Sequence, residues 1–414
     1  MKEGFVIGAG LIVAGLLLQV SAGDLFWPIF SFPANAIILA VLVALLIVLY
    51  ALRNKVYAIR FIKSYKMAVP TLVYAVALTI IMGLTKQSDI PSDPIGITHM
   101  LGFWPFVFIY FLMAMIVGLV AIENIVKLNW RKWPSIASHL GLFIVLVAGT
   151  LGSADMQRLK MYCETGKPEW RALDTNNNTH ELDIAIQLDT FKIDEYPAKL
   201  MLVDNATSEA VMNGGKPLTL LLDNDFKGGK LGEWDIKVLQ NLDYAAPKTM
   251  PDSTRTFVDW KMKGATSAAQ VEATKGDKKV TGWVTCGNAF IPTEVLPLDD
   301  DYSLGMPPRE PKRYASSVHI FTESQKNVKT TIEVNKPYTI DGWKIYQYSY
   351  NEQQGRWSDY SVFELVTDPW LPAVYVGIGL IFIGAVGMFI TAQRRKETEA
   401  SDSEASNEGK EEQA

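Results

Sequence analysis

The chain has 414 residues, with 39 Lys and Arg against 44 Asp and Glu and a formal net charge of −5. That acidic balance, with no basic stripe interleaved with aromatics, excludes nucleic acid as a partner. Only Cys163 and Cys286 are present, so there is no Cys-x-x-Cys redox pair and no Cys-x-x-Cys-His haem-attachment motif.

Six apolar runs, at 4–22, 35–52, 67–85, 103–122, 135–152 and 371–391, are long enough to cross a hydrocarbon core of about 30 Å, which takes roughly 20 residues. The first run admits a second reading as a cleaved signal peptide, since Lys2 precedes it and Ser21, Ala22 and Gly23 follow. Its Gly4 and Gly8 form a GxxxG, a pattern for close helix contact, within the chain or with a partner subunit. Arg53, Lys55, Arg60, Lys63 and Lys66 lie between spans two and three. Lys127, Arg131 and Lys132 lie between spans four and five, and Arg394, Arg395 and Lys396 follow span six. The opposite short loops hold only Lys86, so the positive-inside bias predicts both termini in the cytoplasm and residues 153–370 outside. Trp27, Trp104, Trp130, Trp133 and Trp370 fall at span ends, where interfacial aromatics belong.

Two histidines accompany the spans. His99 sits at the outer end of span four, beside Met100, and His139 lies inside span five near its inner boundary. Each has two readings. One is local: His99 bonding within a helix start or facing water, His139 bonding to head groups or a neighbouring helix. The other is an axial donor to haem iron, for which a neutral imidazole suits an apolar setting. His180 precedes the alternating strand described below and His319 sits in a strand-like run, and both read as structural; the four histidines make no metal-spacing motif.

After span five the pattern alternates, clearest in Leu182, Ile184, Ile186 and Leu188. Further strand-like runs near 198–204, 217–223, 234–242, 279–286, 316–322, 329–334, 342–350 and 359–366 are separated by turns such as Asn213-Gly214-Gly215 and Asp341-Gly342. The fold expected is membrane all-α, about six helices, with an extracytoplasmic all-β sandwich or open barrel inserted before the last helix. The divisions are a five-helix region at 1–152, the β domain at 153–370, the last span at 371–392 and a disordered cytoplasmic tail at 393–414. Cys163 and Cys286 both fall in the β domain, in an oxidising compartment, as a disulfide or as two unlinked thiols. Gly377-Ile378-Gly379 with Gly384 lies inside a span and reads as helix packing rather than a phosphate loop.

The stretch Glu333 to Tyr350 has an Asn-x-Pro turn (Asn335-Lys336-Pro337), a Gly342-Trp343 pair and a Tyr346-Gln347-Tyr348-Ser349 strand, and Ser361 to Pro369 adds a strand ending in Asp368-Pro369 before the last span. It resembles the ResB family of cytochrome c assembly proteins. Upstream, Ser64 to Gln87, Leu101 to Ile122 and the Ser138-His139-Leu140-Gly141 helix resemble that family's leading spans. The likeness covers roughly 64–392, with spans one and two as additions to a four-span plan.

The resemblance implies a subunit that acts with a CcsA-type membrane partner to move haem b across a bacterial inner membrane and support its attachment to apocytochrome c in the periplasm. His139 and His99 would be the cofactor-binding residues, with His139 the candidate iron ligand. The chain lacks a tryptophan-rich haem-handling cluster, so it is expected to be inactive alone, one half of a haem lyase. The physical chemistry also leaves open a membrane-anchored binding or sensor protein, which needs no haem. A polytopic membrane enzyme fits less well, because the spans hold few ionisable groups besides His139.

Overall fold

The computed structural model describes residues 1–88, 93, 95–127, 132–223, 227–251 and 255–411, with only the backbone path for 392–411. Trp130, used above to place a span end, and Arg131, used above for the charge bias of its loop, lie outside the described residues. The chain divides into two units, Met1–Met156 with Asp368–Ala414, and Gln157–Thr367.

The helical unit contains α1 (Lys2–Ala22), α2 (Ala34–Leu52), the short α3 (Tyr57–Ile62), α4 (Tyr65–Leu84), α5 (Trp104–Val126), α6 (Trp133–Gly152) and α7 (Leu371–Glu411). Six of these hold stretches long and apolar enough to cross a membrane, the last being Leu371–Thr391. They coincide with the six expected spans to within a few residues, apart from the 3-10 turn Ile97–His99 that leads into α5. Beyond Thr391 the backbone of α7 stays helical to Glu411, where the sequence suggested a structureless tail. Residues 392–411 hold five Glu and three Ala and no proline, a composition that tolerates a helix even without an apolar face.

Helix starts are set by proline at the first turn, where a missing N–H costs nothing: Pro105 in α5, Pro134 in α6 and Pro372 in α7. Asp368 adds a cap to α7, its carboxylate accepting the N–H groups of Trp370 (3.1 Å) and Leu371 (3.0 Å). The Asp-Pro break therefore ends one strand and opens the next helix.

Glycines let the helices touch. A Cβ on Gly141 of α6 would stand 2.5 Å from the Gly377 carbonyl of α7, and one on Gly384 would stand 2.2 Å from the Ser138 hydroxyl. In α1, Gly4 meets Lys66 and Pro70, Gly8 meets the Tyr74 ring of α4, and Gly15 meets Pro105 of α5. The GxxxG of the first span is thus used within the chain.

The β unit holds two cores. The first lies inside an eight-stranded antiparallel sheet whose strands run, in spatial order, Asn327–Glu333, Pro311–Thr322, Thr179–Glu195, Pro168–Leu173, Gln157–Glu164, Tyr360–Thr367, Trp343–Tyr350 and Tyr338–Ile340. The sheet curls into a nearly closed barrel. Its two edge strands are consecutive in the chain, and across the gap Ser324 and Lys326 bond to Asp341. Met161, Ile186, Leu188, Ile320, Ile345 and Phe363 fill the interior, each fully buried, as the period-2 alternation requires. Asp341 and Gly342, at φ 45° and 84°, make the tight turn between Tyr338–Ile340 and Trp343–Tyr350.

The second core is built by a five-stranded sheet around Trp234–Thr249 and a four-stranded sheet that includes Lys199–Asp204 and Tyr302–Gly305, closing on Trp234, Leu200, Ile236 and Leu304. Between the cores, the guanidinium groups of Arg309 and Arg356 reach Glu195 at 3.5 and 3.3 Å, and Arg309 also pairs with Asp243 at 2.7 Å. Burial pushes the Glu195 carboxyl up even against these two cations.

Candidate functional site

His99 ends the 3-10 turn Ile97–His99 ahead of α5, and the turn is held by Asp93. That carboxylate accepts the N–H groups of Ile95, Gly96, Ile97 and Thr98 at 2.8–3.1 Å and the Thr98 hydroxyl at 2.5 Å. The Thr98 hydroxyl bond, reinforced by the backbone donors, keeps the Asp93 carboxyl well below the usual carboxylate range. Gly102 gives the imidazole room, since a Cβ there would lie 2.7 Å from its ring atoms.

The His99 ring is fixed by a carboxylate. Its Nδ1 lies 2.7 Å from Asp24 Oδ2, with the two side chains 24% and 13% exposed. Gln19 donates to the other Asp24 oxygen and accepts the Trp104 N–H at 3.2 Å. Around this chain Trp104 donates to the Gly23 carbonyl (2.8 Å) and Trp27 to the Leu101 carbonyl (3.0 Å). The Asp24 carboxylate oxygen can only accept, so Nδ1 is the donor in this bond, and among the described residues nothing bonds to Nε2.

His139 lies in the second turn of α6. Its Nδ1 is 2.7 Å from the Ser135 carbonyl, one turn back, and 3.3 Å from the Ser135 hydroxyl; the shorter contact fits the tautomer protonated at Nδ1, and Nε2 has no bonding partner among the described residues. One turn further on, Phe143 packs against Gly118 of α5, where a Cβ would be 2.8 Å from its ring. Ser138 and Gly141 face α7 instead.

The two histidines do not meet. α5 alone separates the end near His99 from the opposite end by 23 residues, about 34 Å of helix at 1.5 Å per residue. Each would need its second axial donor from elsewhere. Met100 is fully buried among Leu78, Phe103 and Ile109 and serves as packing. His180 bonds to Asp174 at 3.2 Å and His319 bonds to Asn327, both on the exposed surface of the barrel. Among the described residues no group of three or more His, Cys, Asp and Glu is arranged to hold a metal ion.

Of the two arrangements left open for the cysteines, the structure has two free thiols. Cys163 is sealed in the barrel interior and Cys286 sits beside the second core. Burial pushes the Cys163 thiol far up, which makes it unreactive.

The sequence reading missed the polar knot at the His99 end. Asp155, just past α6, accepts the Phe32 N–H (2.7 Å), the Asn35 amide (2.7 Å) and the Trp370 indole N–H (2.7 Å). Asn35 is fully buried and also donates to the Leu151 carbonyl at 3.2 Å. Burial alone would raise the Asp155 carboxyl, but these donors outweigh it and hold the group below the usual carboxylate range. The only sign of it in the sequence is an isolated Asn within an apolar run.

No curated protein matches the chain. Residues 299–358 match the model of the ResB-like family. They include both edges of the barrel, Pro311–Thr322 with Asn327–Glu333 and Tyr338–Ile340 with Trp343–Tyr350, together with Arg309 and Arg356. The membrane-spanning framework thus carries a ResB-like segment at the seam of its β barrel, and that family supports a role in cytochrome c biogenesis.

Proposed function

We propose that the chain is one half of a haem-delivering assembly that, with a CcsA-type partner, moves haem b across the membrane and supports its covalent attachment to apocytochrome c on the far side. The observation that carries this reading is a matched pair of imidazoles at opposite ends of the helical unit, each tied at Nδ1 and free at Nε2. That is the arrangement of a haem-ligating histidine, whose second nitrogen is held by a carboxylate or a carbonyl. The ResB-like segment sets the biological frame.

On this reading the lysine-rich end is cytoplasmic and the β unit lies in the periplasm of a bacterial inner membrane, as the charge bias of the loops favours. His139 takes iron near the inner face and the apolar helices give the porphyrin a low-polarity route. His99 receives it at the outer face, where Asp24 makes the imidazole a stronger donor. The partner contributes the opposing ligands, so the chain alone is not an enzyme. The β unit presents apocytochrome c.

The test is the visible spectrum of the full chain purified with and without a co-expressed CcsA-type partner. A Soret band that requires the partner and falls at least threefold in His139→Ala, with His99→Ala retaining haem but losing holocytochrome c, fits the proposal. Unchanged haem and cytochrome yield in both variants rules out the histidine assignments. No haem in any complex turns the reading to a membrane-anchored binding protein.

A further inference from the structure

At the lysine-rich end of the helical unit, α1, α3 and the start of α4 enclose an open cavity of about 430 Å³, lined by Lys2, Glu3, Tyr57, Arg60, Ser64 and Lys66. The cations at this end fall into two groups. Lys63 and Lys127 share the carboxylate of Glu123 in α5. Lys2, Arg60 and Lys66 are exposed and, among the described residues, have no carboxylate within ion-pair distance. The one acid in the cavity, Glu3, is engaged by the Tyr57 hydroxyl at 3.1 Å, and Arg60 leans on the Tyr57 ring. Three unpaired cations against one occupied carboxylate leave the cavity with a surplus of two positive charges.

The cavity also lies at the ends of two membrane-spanning helices, α1 and α4. Below it their outer faces are apolar and open: Phe5 and Val6 on α1, and Val69, Leu72 and Val73 on α4. A ligand that satisfies both features has an anionic head and long apolar tails.

We infer that this cavity binds the headgroup of an anionic glycerophospholipid, its phosphate on Lys2, Arg60 and Lys66 and its acyl chains along α1 and α4. Basic pockets between helix ends bind lipid head groups in this way, each Lys or Arg near the surface contributing favourably to anionic lipid. The glycerol hydroxyls of such a headgroup find acceptors in Glu3 and in the Ser64 hydroxyl oxygen, whose own proton goes to the Phe61 carbonyl at 2.6 Å. Because Lys2 comes from α1, the site exists only where that helix is present.

The experiment uses the full chain, delipidated in a neutral detergent, with bound lipid counted by native mass spectrometry. Dioctanoyl phosphatidylglycerol, dioctanoyl phosphatidylcholine and inorganic phosphate are the three probes. The expected result is one tightly held phosphatidylglycerol, at least tenfold weaker phosphatidylcholine, and no displacement by equimolar phosphate. The combined variant Lys2→Gln, Arg60→Gln, Lys66→Gln should lose at least tenfold in phosphatidylglycerol affinity at unchanged melting temperature. Lys55→Gln, a cation outside the cavity, should lose none. Equal affinity in the triple variant, or equal binding of phosphatidylcholine, overturns the proposal. Displacement by inorganic phosphate also overturns it and identifies a free-phosphate site instead. If the triple variant melts early, Lys66→Arg decides: a lipid site keeps its affinity with the charge retained, and loss there overturns the assignment.

Discussion

The helical unit and the β unit solve the burial problem in opposite ways. In the helical unit α1 and the apolar part of α7 each bury only 17% of their apolar stretch inside the protein, so most of their surface is left for lipid or a partner. In the β unit the inward positions of Gln157–Glu164, Thr179–Glu195 and Tyr360–Thr367 are closed off by the barrel itself. Contact in the first depends on glycines and a few polar bonds, because lipid tails solvate a leucine as well as another helix does. Contact in the second comes from water expelled by large side chains. The same residue type therefore has a different value in each unit.

That difference can be broken first at the barrel core. Phe363 is fully buried, and Phe363→Ala should cost about 3–5 kcal/mol, read as a lowered urea midpoint in tryptophan fluorescence of the full chain. Ile80→Ala, on an open face of α4, should move that midpoint hardly at all. An equal shift in the two variants would refute the contrast.

Next in size is the glycine contact. Gly141→Leu forces a side chain against the Gly377 carbonyl and should cost about 1–3 kcal/mol in overpacking, seen as a lower melting temperature in detergent. Gly149→Leu, at a glycine with open space around it, is the matched control.

A smaller effect is expected at Asp155. Its folded pKa lies below the unfolded value, so its contribution is fully present above the unfolded pKa and is lost as pH falls through the folded one. The group is only partly buried, so the loss should be on the order of 1 kcal/mol. Acid titration of the wild type should show a low-pH change in Trp370 emission that Asp155→Asn lacks. The smallest expectation concerns the thiols: under native conditions a maleimide should label Cys286 and leave Cys163 untouched until the barrel unfolds, with labelling counted by mass.

Hydropathy alone revealed the spans, because a bilayer demands about 20 apolar residues per crossing and few sequences meet that by accident. The barrel was partly legible. The long strand Thr179–Glu195 announces itself by alternation, but Thr266–Lys275 reads Thr-Ser-Ala-Ala-Gln-Val-Glu-Ala-Thr-Lys, full of helix formers. It is a strand because Ala268, Ala269, Val271 and Ala273 are buried between neighbours on both sides, a tertiary preference that overrides local propensity. Gln157–Glu164 alternates too, in Leu159, Met161 and Cys163, yet it is short and follows directly on a span. At the site, both histidines were visible as residue types. Their partners were not: Asp24 is 75 residues from His99, and Trp370 is 215 residues from Asp155. Pairings at such separations leave no periodic trace.

The pairing of the barrel's first and last strands carries a consequence for biosynthesis. Gln157–Glu164 lies against Tyr360–Thr367 in unbroken register, from Gln157 with Thr367 to Glu164 with Tyr360. The first strand to be translated must therefore wait some 200 residues for its neighbour, and contacts so distant in sequence form slowly. Until that neighbour arrives, Leu159 and Met161 have one flank open, a template for unwanted pairing. Since the closing strand is followed at once by α7, sealing of the barrel and insertion of the final span become nearly the same moment in the life of the nascent chain.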